Sequence, residues 1–514
     1  MLLESALITV LVLSSFQPVT AGASRAAAPA SPAVFDFDRV DANQIAMGVN
    51  NFGPFAADPL LGGPGLEYPR GSGTYLVFTA GLWLGAKVNG AVRLAISDYA
   101  SEYGPGAMLG AGPDDPSRAR YRVYKLLRTY PTTSARDSAL QDYQTGAMIP
   151  DGAPQVGPLG TNSLSIPGDQ MLWSVFNDAD PARHTSMAGS TLPLGVEVQQ
   201  TTWASDRLGA LGSTVFIAYR IIHKGTDVLE NMYLALWSDP DVGGYADDLV
   251  GWDAARGIGY AYNGANIDVQ YGIKVPALGM DLLRGPRGAG GARLEATAFA
   301  RYINGGDPLN SLETWRLLNG YQVNGGPWVD PVTGLPTKFC FPGDPVTDTG
   351  WLDADPGDRR MMISSGPFTM QPGDTQDVVV AVIAARGTDR LNSISLLRSY
   401  DEAAQAYIDA GGDTVTTAVP RTPSTGHGIA LETPRPNPGR GVLTVSFTLA
   451  GELPATLELL DLAGRRVFTR DLGAGGAGRH VVEFARPGAL APGLYFLKLS
   501  QGGRSVARRV TLLR

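Results

Sequence analysis

Residues 73–99 read GTYLVFTAGLWLGAKVNGAVRLAISDY, two apolar, β-branched runs joined by Asn89-Gly90. Asn-Gly suits a two-residue hairpin turn because both positions take φ > 0, so the segment predicts a β-hairpin. The same grammar recurs. STVFIAYRIIHKG (213–225) and NMYLALWSD (231–239) read as strands joined by a Gly-Thr-Asp turn. GPFTMQPGDTQDVVVAVIAARG (366–387) reads as a strand pair about Pro372-Gly373-Asp374, with DVVVAVIAA apolar enough for a central strand covered on both faces. The 65 glycines and 37 prolines follow no G-X-Y period, so they act as turn punctuation. The expectation is a mainly β protein: a large β-sandwich-like body over residues 34–410, as one domain or two.

One segment carries a helical period. In 390–412, Ile394, Leu397, Tyr400, Ala404 and Tyr407 or Ile408 share a face, Asn392 or Ser393 offers a cap, and Gly411-Gly412 ends the run. This predicts a helix over 391–409. A Thr/Pro/Gly-rich linker over 411–430 follows. In VLTVSFTL (442–449), Leu443, Val445, Phe447 and Leu449 alternate with polar residues. Further short strands to the end of the sequence predict a small immunoglobulin-like β-sandwich over 431–514.

Four stretches in this tail carry a resemblance: PRPNP (434–438), LLDLAGRRV (459–467), APGLYFLKLS (491–500) and ARRVTLLR (507–514). In this order they resemble the C-terminal sorting domain of the type IX secretion system, which is similar to the immunoglobulin-like domain of flagellar hook-capping proteins. The matching positions are Pro436, Asn437 and Pro438, then Asp461, Gly464 and Arg465, then Gly493, Tyr495 and Lys498, and finally Arg508 and Arg509. The resemblance implies delivery by the outer-membrane secretion machinery, followed by surface anchoring or release. Arg435 and Gly439-Arg440 depart from the family, which carries aromatics around its Pro-Asn-Pro. The body resembles uncharacterised proteins with the same tail, in AGLWLGAKVNG, LWSDPDVGGYADDLVGWD and FPGDPVTDTGWLDADPGDRRMM. That likeness implies architecture and location, not a reaction.

Export agrees with the other end of the sequence. Ala6–Phe16 is an apolar run too short to span a membrane, and small residues follow it. Residues 1–23 read as a signal peptide, although the segment carries Glu4 and no Lys or Arg, and 24–33 as a linker. No later segment has 18 uninterrupted apolar residues, so no transmembrane segment is expected in the mature chain. Net charge is −8, divided between an acidic body and a tail of +6, which makes nucleic acid an unsuitable partner. The lone Cys340, flanked by Phe339 and Phe341, reads as a small buried residue and forms no internal disulfide.

Chemistry concentrates in acidic turns. SDPDVGGYADDLVGWD (238–253) opens like an EF-hand at Asp239-x-Asp241-x-Gly243, but the twelfth position is Val250 where a bidentate Glu belongs. A second loop, DADPGD (353–358), repeats the rhythm. If the loops meet, Asp239, Asp241, Asp247, Asp248, Asp353, Asp355 and Asp358 form a candidate calcium set; if not, they are solvated turns. Trp252 and Trp351 flank these loops and are candidates for stacking on a surface glycan. No catalytic residues stand out. The adjacent Asp247 and Asp248 would face opposite ways on a strand, and no H-E-x-x-H, Walker A, G-x-S-x-G or clustered His/Cys occurs. The favoured expectation is a non-enzymatic exported protein of structural or adhesive type. The alternatives are a glycan-binding module and a secreted hydrolase.

Overall fold

The computed structural model describes residues 33–147, 152–412 and most of 429–513. The expected signal peptide, the linker before Ala33 and residues 413–428 of the second linker lie outside the described residues. The chain divides into two compact units, Met1–Ala418 and Val419–Arg514.

The first unit is built on two antiparallel sheets. One has eight strands, with Tyr75–Val88, Leu229–Pro240 and Arg359–Met370 side by side at its centre. The other has nine, centred on Val196–Ala204, Thr214–His223, Thr375–Ala385 and Ala277–Arg284. Asn89 (φ +50) and Gly90 (φ +82) make the expected hairpin turn, and Val88 pairs with Ala91. The other two expected strand pairs are not hairpins. Thr214–His223 lies in the nine-stranded sheet and Leu229–Pro240 in the eight-stranded one. The turn at 372–374 likewise joins Arg359–Met370 of the first sheet to Thr375–Ala385 of the second. A turn signal fixes a reversal; the apolar faces decide which sheet each strand joins.

Those faces are apolar on both sides. Leu84, Leu234, Leu236 and Ile363 of the eight-stranded sheet share one core with Val198, Ile217, Val380 and Val382 of the nine-stranded sheet. The outward faces are covered as well. Helix α1 (Thr133–Gly146) and helix α3 (Arg390–Asp409) pack Tyr143, Ile394, Leu397 and Ile408 onto Trp173, Phe216 and Ile383 of the nine-stranded sheet. Helix α2 (Ser311–Leu318) packs Leu317 and Leu318 with Trp83, Trp237 and Met362 on the opposite side of the molecule. Cys340 is buried in the inter-sheet core, where loss of hydration raises the pKa of its thiol.

The expected helix is α3, with its predicted apolar face buried. Its cap is Asp389, which accepts from the N–H groups of Leu391 and Asn392, not Asn392 or Ser393. Helices α1 and α2 were not expected. In α1 the buried side chains are Arg136, Leu140 and Tyr143, too few for an apolar stripe. In α2 the signal was Asn310 followed at three residues by Glu313, a capping pattern on a segment of eight residues.

In the second unit, Ala430–Leu431, Leu443–Leu449 and Gly478–Phe484 form one sheet. Arg466–Gly473, Ala455–Leu460, Gly493–Gln501 and Arg504–Leu512 form another. Leu443, Val445, Phe447 and Leu449 are buried, as their alternation predicts, against Leu457, Leu459, Leu497 and Leu499. Among the described residues no helix is long and apolar enough to cross a membrane.

Leu397 of α3 is 1% exposed against the nine-stranded sheet, so Leu397→Ala is expected to cost about 2–5 kcal/mol in denaturant unfolding. Asp389→Ala, which removes only the cap, should cost about 1 kcal/mol.

Candidate functional site

Strand Leu229–Pro240 ends in the first acidic loop, and its neighbour Arg359–Met370 begins where the second ends. Ser238 pairs with Met361 and Trp237 with Met362. The register brings the two loops together, and strand alternation then divides their charges between two faces.

Toward the inter-sheet core, Arg359 grips Asp353 with two bonds, Nε to Oδ2 and Nη2 to Oδ1, each 2.9 Å. Both side chains are almost wholly buried. Arg359 also donates to the carbonyl of Asp355, and the Val250 N–H donates to Asp353 Oδ2 at 3.2 Å. The Gly357 N–H reaches the Asp248 carbonyl at 3.0 Å, so the loops are joined by backbone as well.

On the outer face, Arg360 pairs with Asp239 at 2.8 Å and with Asp358. The Tyr99 hydroxyl donates to Asp239 Oδ2 at 2.7 Å, and Arg360 lies over the Tyr99 ring. Tyr99 in turn meets Trp237 edge-on, and the Trp237 indole N–H donates to the Tyr302 hydroxyl. Carboxylate oxygens of Asp239, Asp241 and Asp358 lie within 4.8 Å of one another. Burial raises the Asp239 carboxyl to about 8 against the pull of Arg360, with Asp241 and Asp358 adding repulsion. Burial and the Asp358 charge raise Asp241 to about 6. One guanidinium is too little positive charge for three partly desolvated carboxylates.

Of the seven candidate metal ligands, the structure gathers Asp239, Asp241 and Asp358. Asp353 is occupied by Arg359. Asp248 is fully buried, accepts from the Val242 N–H and has its pKa driven far up by desolvation. Asp247 is half-buried beside Asn263, and Asp355 is exposed and contributes its carbonyl. Trp252 is 4% exposed and stacks on Phe299 and Phe339 at centroid distances of 5.6 and 5.0 Å. Its ring offers no open face to a sugar. Trp351 is half-buried with its edge against Phe341. Sequence reasoning missed Arg359, Arg360 and Tyr99. The arginines stand directly after the second acidic loop, in DPGDRR, and that adjacency was the available signal.

In the tail unit, Asn437 donates to the Arg509 carbonyl at 3.0 Å and accepts from the Thr511 N–H at 2.9 Å, tying Asn437 to strand Arg504–Leu512. Asp461 accepts from both the backbone and the guanidinium of Arg465. Lys498 lies 3.5 Å from Glu458, and the Tyr495 hydroxyl donates to the Ala491 carbonyl. Gly493 opens its strand, and Arg508 and Arg509 are exposed. Pro436, Pro438 and Gly464 lie outside the described residues.

Residues 435–512 match the secretion system C-terminal sorting domain. The protein is therefore cargo of the type IX route, secreted or attached to the cell surface. No curated protein matches the chain. Among solved structures, a polysaccharide lyase is similar over 62% of this chain and 34% of its own, at 9% identity and TM-score 0.19. A β-glucuronidase of Faecalibacterium prausnitzii is similar over 54% and 46%, at 12% identity and TM-score 0.14. The chain thus matches less than half the length of either, and scores this low support no conclusion about activity.

Arg359→Ala leaves Asp353 buried without its counter-charge and is expected to cost about 3–5 kcal/mol in equilibrium unfolding. The double change Arg359→Met with Asp353→Leu should cost less than that single change, because no unpaired charge remains.

Proposed function

We propose that this cargo is a non-enzymatic structural or adhesive protein whose body is locked by calcium at the joined acidic loops. The observation that carries this reading is the convergence of Asp239, Asp241 and Asp358 from two loops. Calcium accepts six to eight oxygens in flexible geometry. Three carboxylates supply part of that shell, and the partial exposure of Asp241 and Asp358 admits water for the rest. A divalent ion would provide the positive charge that Arg360 alone does not. Asp239 and Asp358 are poor candidates for hydrolysis, since Arg360 holds both and the Tyr99 hydroxyl also donates to Asp239. A clamp between two loops suits an exported protein with no internal disulfide.

Calcium should raise the melting temperature of a purified 34–412 fragment, and a chelator should lower it. Indifference to both defeats the calcium reading. The pH dependence has a definite sign. An unfolded Asp titrates at about 3.9. The folded chain therefore holds an extra proton on Asp241 up to about pH 6 and on Asp239 up to about pH 8. Their contribution to stability is full below the unfolded pKa and is lost as pH rises through 6 to 8. Asp239→Asn should flatten the metal-free profile between pH 5 and 8, and calcium should stabilise the wild type more at pH 8 than at pH 5. Export is tested separately: deleting 431–514 should remove the protein from the medium and the cell surface.

A further inference from the structure

Helix α3 buries one acid in the middle of its apolar stripe. Asp401 follows Leu397 by one turn, precedes Ala404 and Ile408 on the same face, and is 2% exposed. Against it lies Asp281 of strand Ala277–Arg284, 3% exposed. The two carboxyl groups hydrogen-bond to each other across the helix–sheet interface. No N–H or hydroxyl group donates to the buried Asp401 Oδ1. Two ionised carboxylates only accept, so a bond between them requires a proton. Desolvation raises the Asp281 carboxyl well above its usual range, and the Asp401 charge raises it further. Desolvation raises Asp401 as well, partly offset by the bond it receives. Asp281 therefore carries the proton and donates to Asp401.

The charged groups facing the pair do not relieve it. Ile258 and Ala381, the strand neighbours of Asp281, bring no charge. A Cβ added at Gly257 would lie 3.6 Å from Asp281 Oδ1, so the turn carrying Arg256 lies against the pair. Arg256 is committed to Asp253 at 3.2 Å and to Glu402 at 2.6 Å. Arg398, on α3 itself, is committed to Asp253 at 2.8 Å and Asp344 at 2.9 Å. Asp253 and Glu402 add repulsion at Asp401 against the attraction of Arg256.

We propose that Asp281 and Asp401 form a pH-sensitive clasp, in which one shared proton holds α3 on the nine-stranded sheet and its loss releases the helix. The sign follows from the unfolded chain, whose Asp residues titrate at about 3.9. The docked pair keeps a proton that the free carboxyls have lost, so docking is strongest in acid and weakens as pH rises. Deprotonation leaves two like charges in contact inside the interface. Helix α3 leads into the linker, so its release would add 20 residues to the connection with the sorting domain. The clasp is independent of calcium at Asp239, Asp241 and Asp358, which stand at strand ends of the other sheet.

Amide exchange of the full exported chain at pH 5 and pH 8, corrected for intrinsic exchange rates, tests this. Protection of α3 should fall at least about tenfold at pH 8 relative to strand Tyr75–Val88. Asp281→Asn keeps a donor toward Asp401 with no proton to lose, so the fall should disappear. Asp239→Asn should leave the fall unchanged. Equal protection of α3 at both pH values overturns the proposal. So does a fall shared by Tyr75–Val88, which marks global unfolding, or a fall that survives in Asp281→Asn. Loss of the fall in Asp239→Asn overturns it too, placing the sensor at the acidic loops. If Asp281→Asn does not fold, Asp401→Asn carries the same test with the bond reversed. Failure of both to fold counts against the clasp, because a bond that needs one donor accepts an amide on either side.

Discussion

Arg359 and Arg360 are consecutive residues at the start of one strand, so their side chains leave the sheet on opposite faces. One reaches inward to Asp353, the other outward to Asp239 and Asp358. Two loops that would otherwise be solvated turns are drawn into the protein by this division. Buried carboxylates are costly unless paired, and the pairing here exists only when both strands are in register. The ion pairs thus tie the loop conformations to the pairing of Leu229–Pro240 with Arg359–Met370 at the centre of the eight-stranded sheet.

The second governing constraint is that both sheets are covered on both faces. The inner faces meet in a shared core, and three helices and the intervening loops close the outer ones. That demand consumes most of the tryptophans. Trp83 and Trp237 stack beneath α2, and Trp252 is held between Phe299 and Phe339. Trp252, a candidate for stacking on a sugar in the sequence, lies instead in the core between the sheets.

Local signals were read well where they act locally. The Asn89-Gly90 hairpin, the apolar face of α3 and the alternation of Leu443–Leu449 all depend on neighbours within a few residues. Errors arose where the partner is distant. The Gly-Thr-Asp and Pro-Gly-Asp turns join strands of different sheets, a choice made by packing across the core. Helix α1 escaped notice because its burial is confined to Arg136, Leu140 and Tyr143. The candidate site was half visible: the two acidic loops were recognisable, but their shared arginines and Tyr99 were not.

The sequence by itself determined the β-rich architecture, the place of the long α3 helix and, through the tail motifs, the route of export. Those properties are written in periodicity, turn chemistry and ordered motifs, each carried by a short segment. Tertiary structure alone decided which carboxylates meet. Asp239 and Asp358 are 119 positions apart in the sequence, and only the register of two strands makes them neighbours. It also decided that Asp353 faces a guanidinium instead of a metal ion, because residues 359 and 360 fall on opposite sides of a pleated strand.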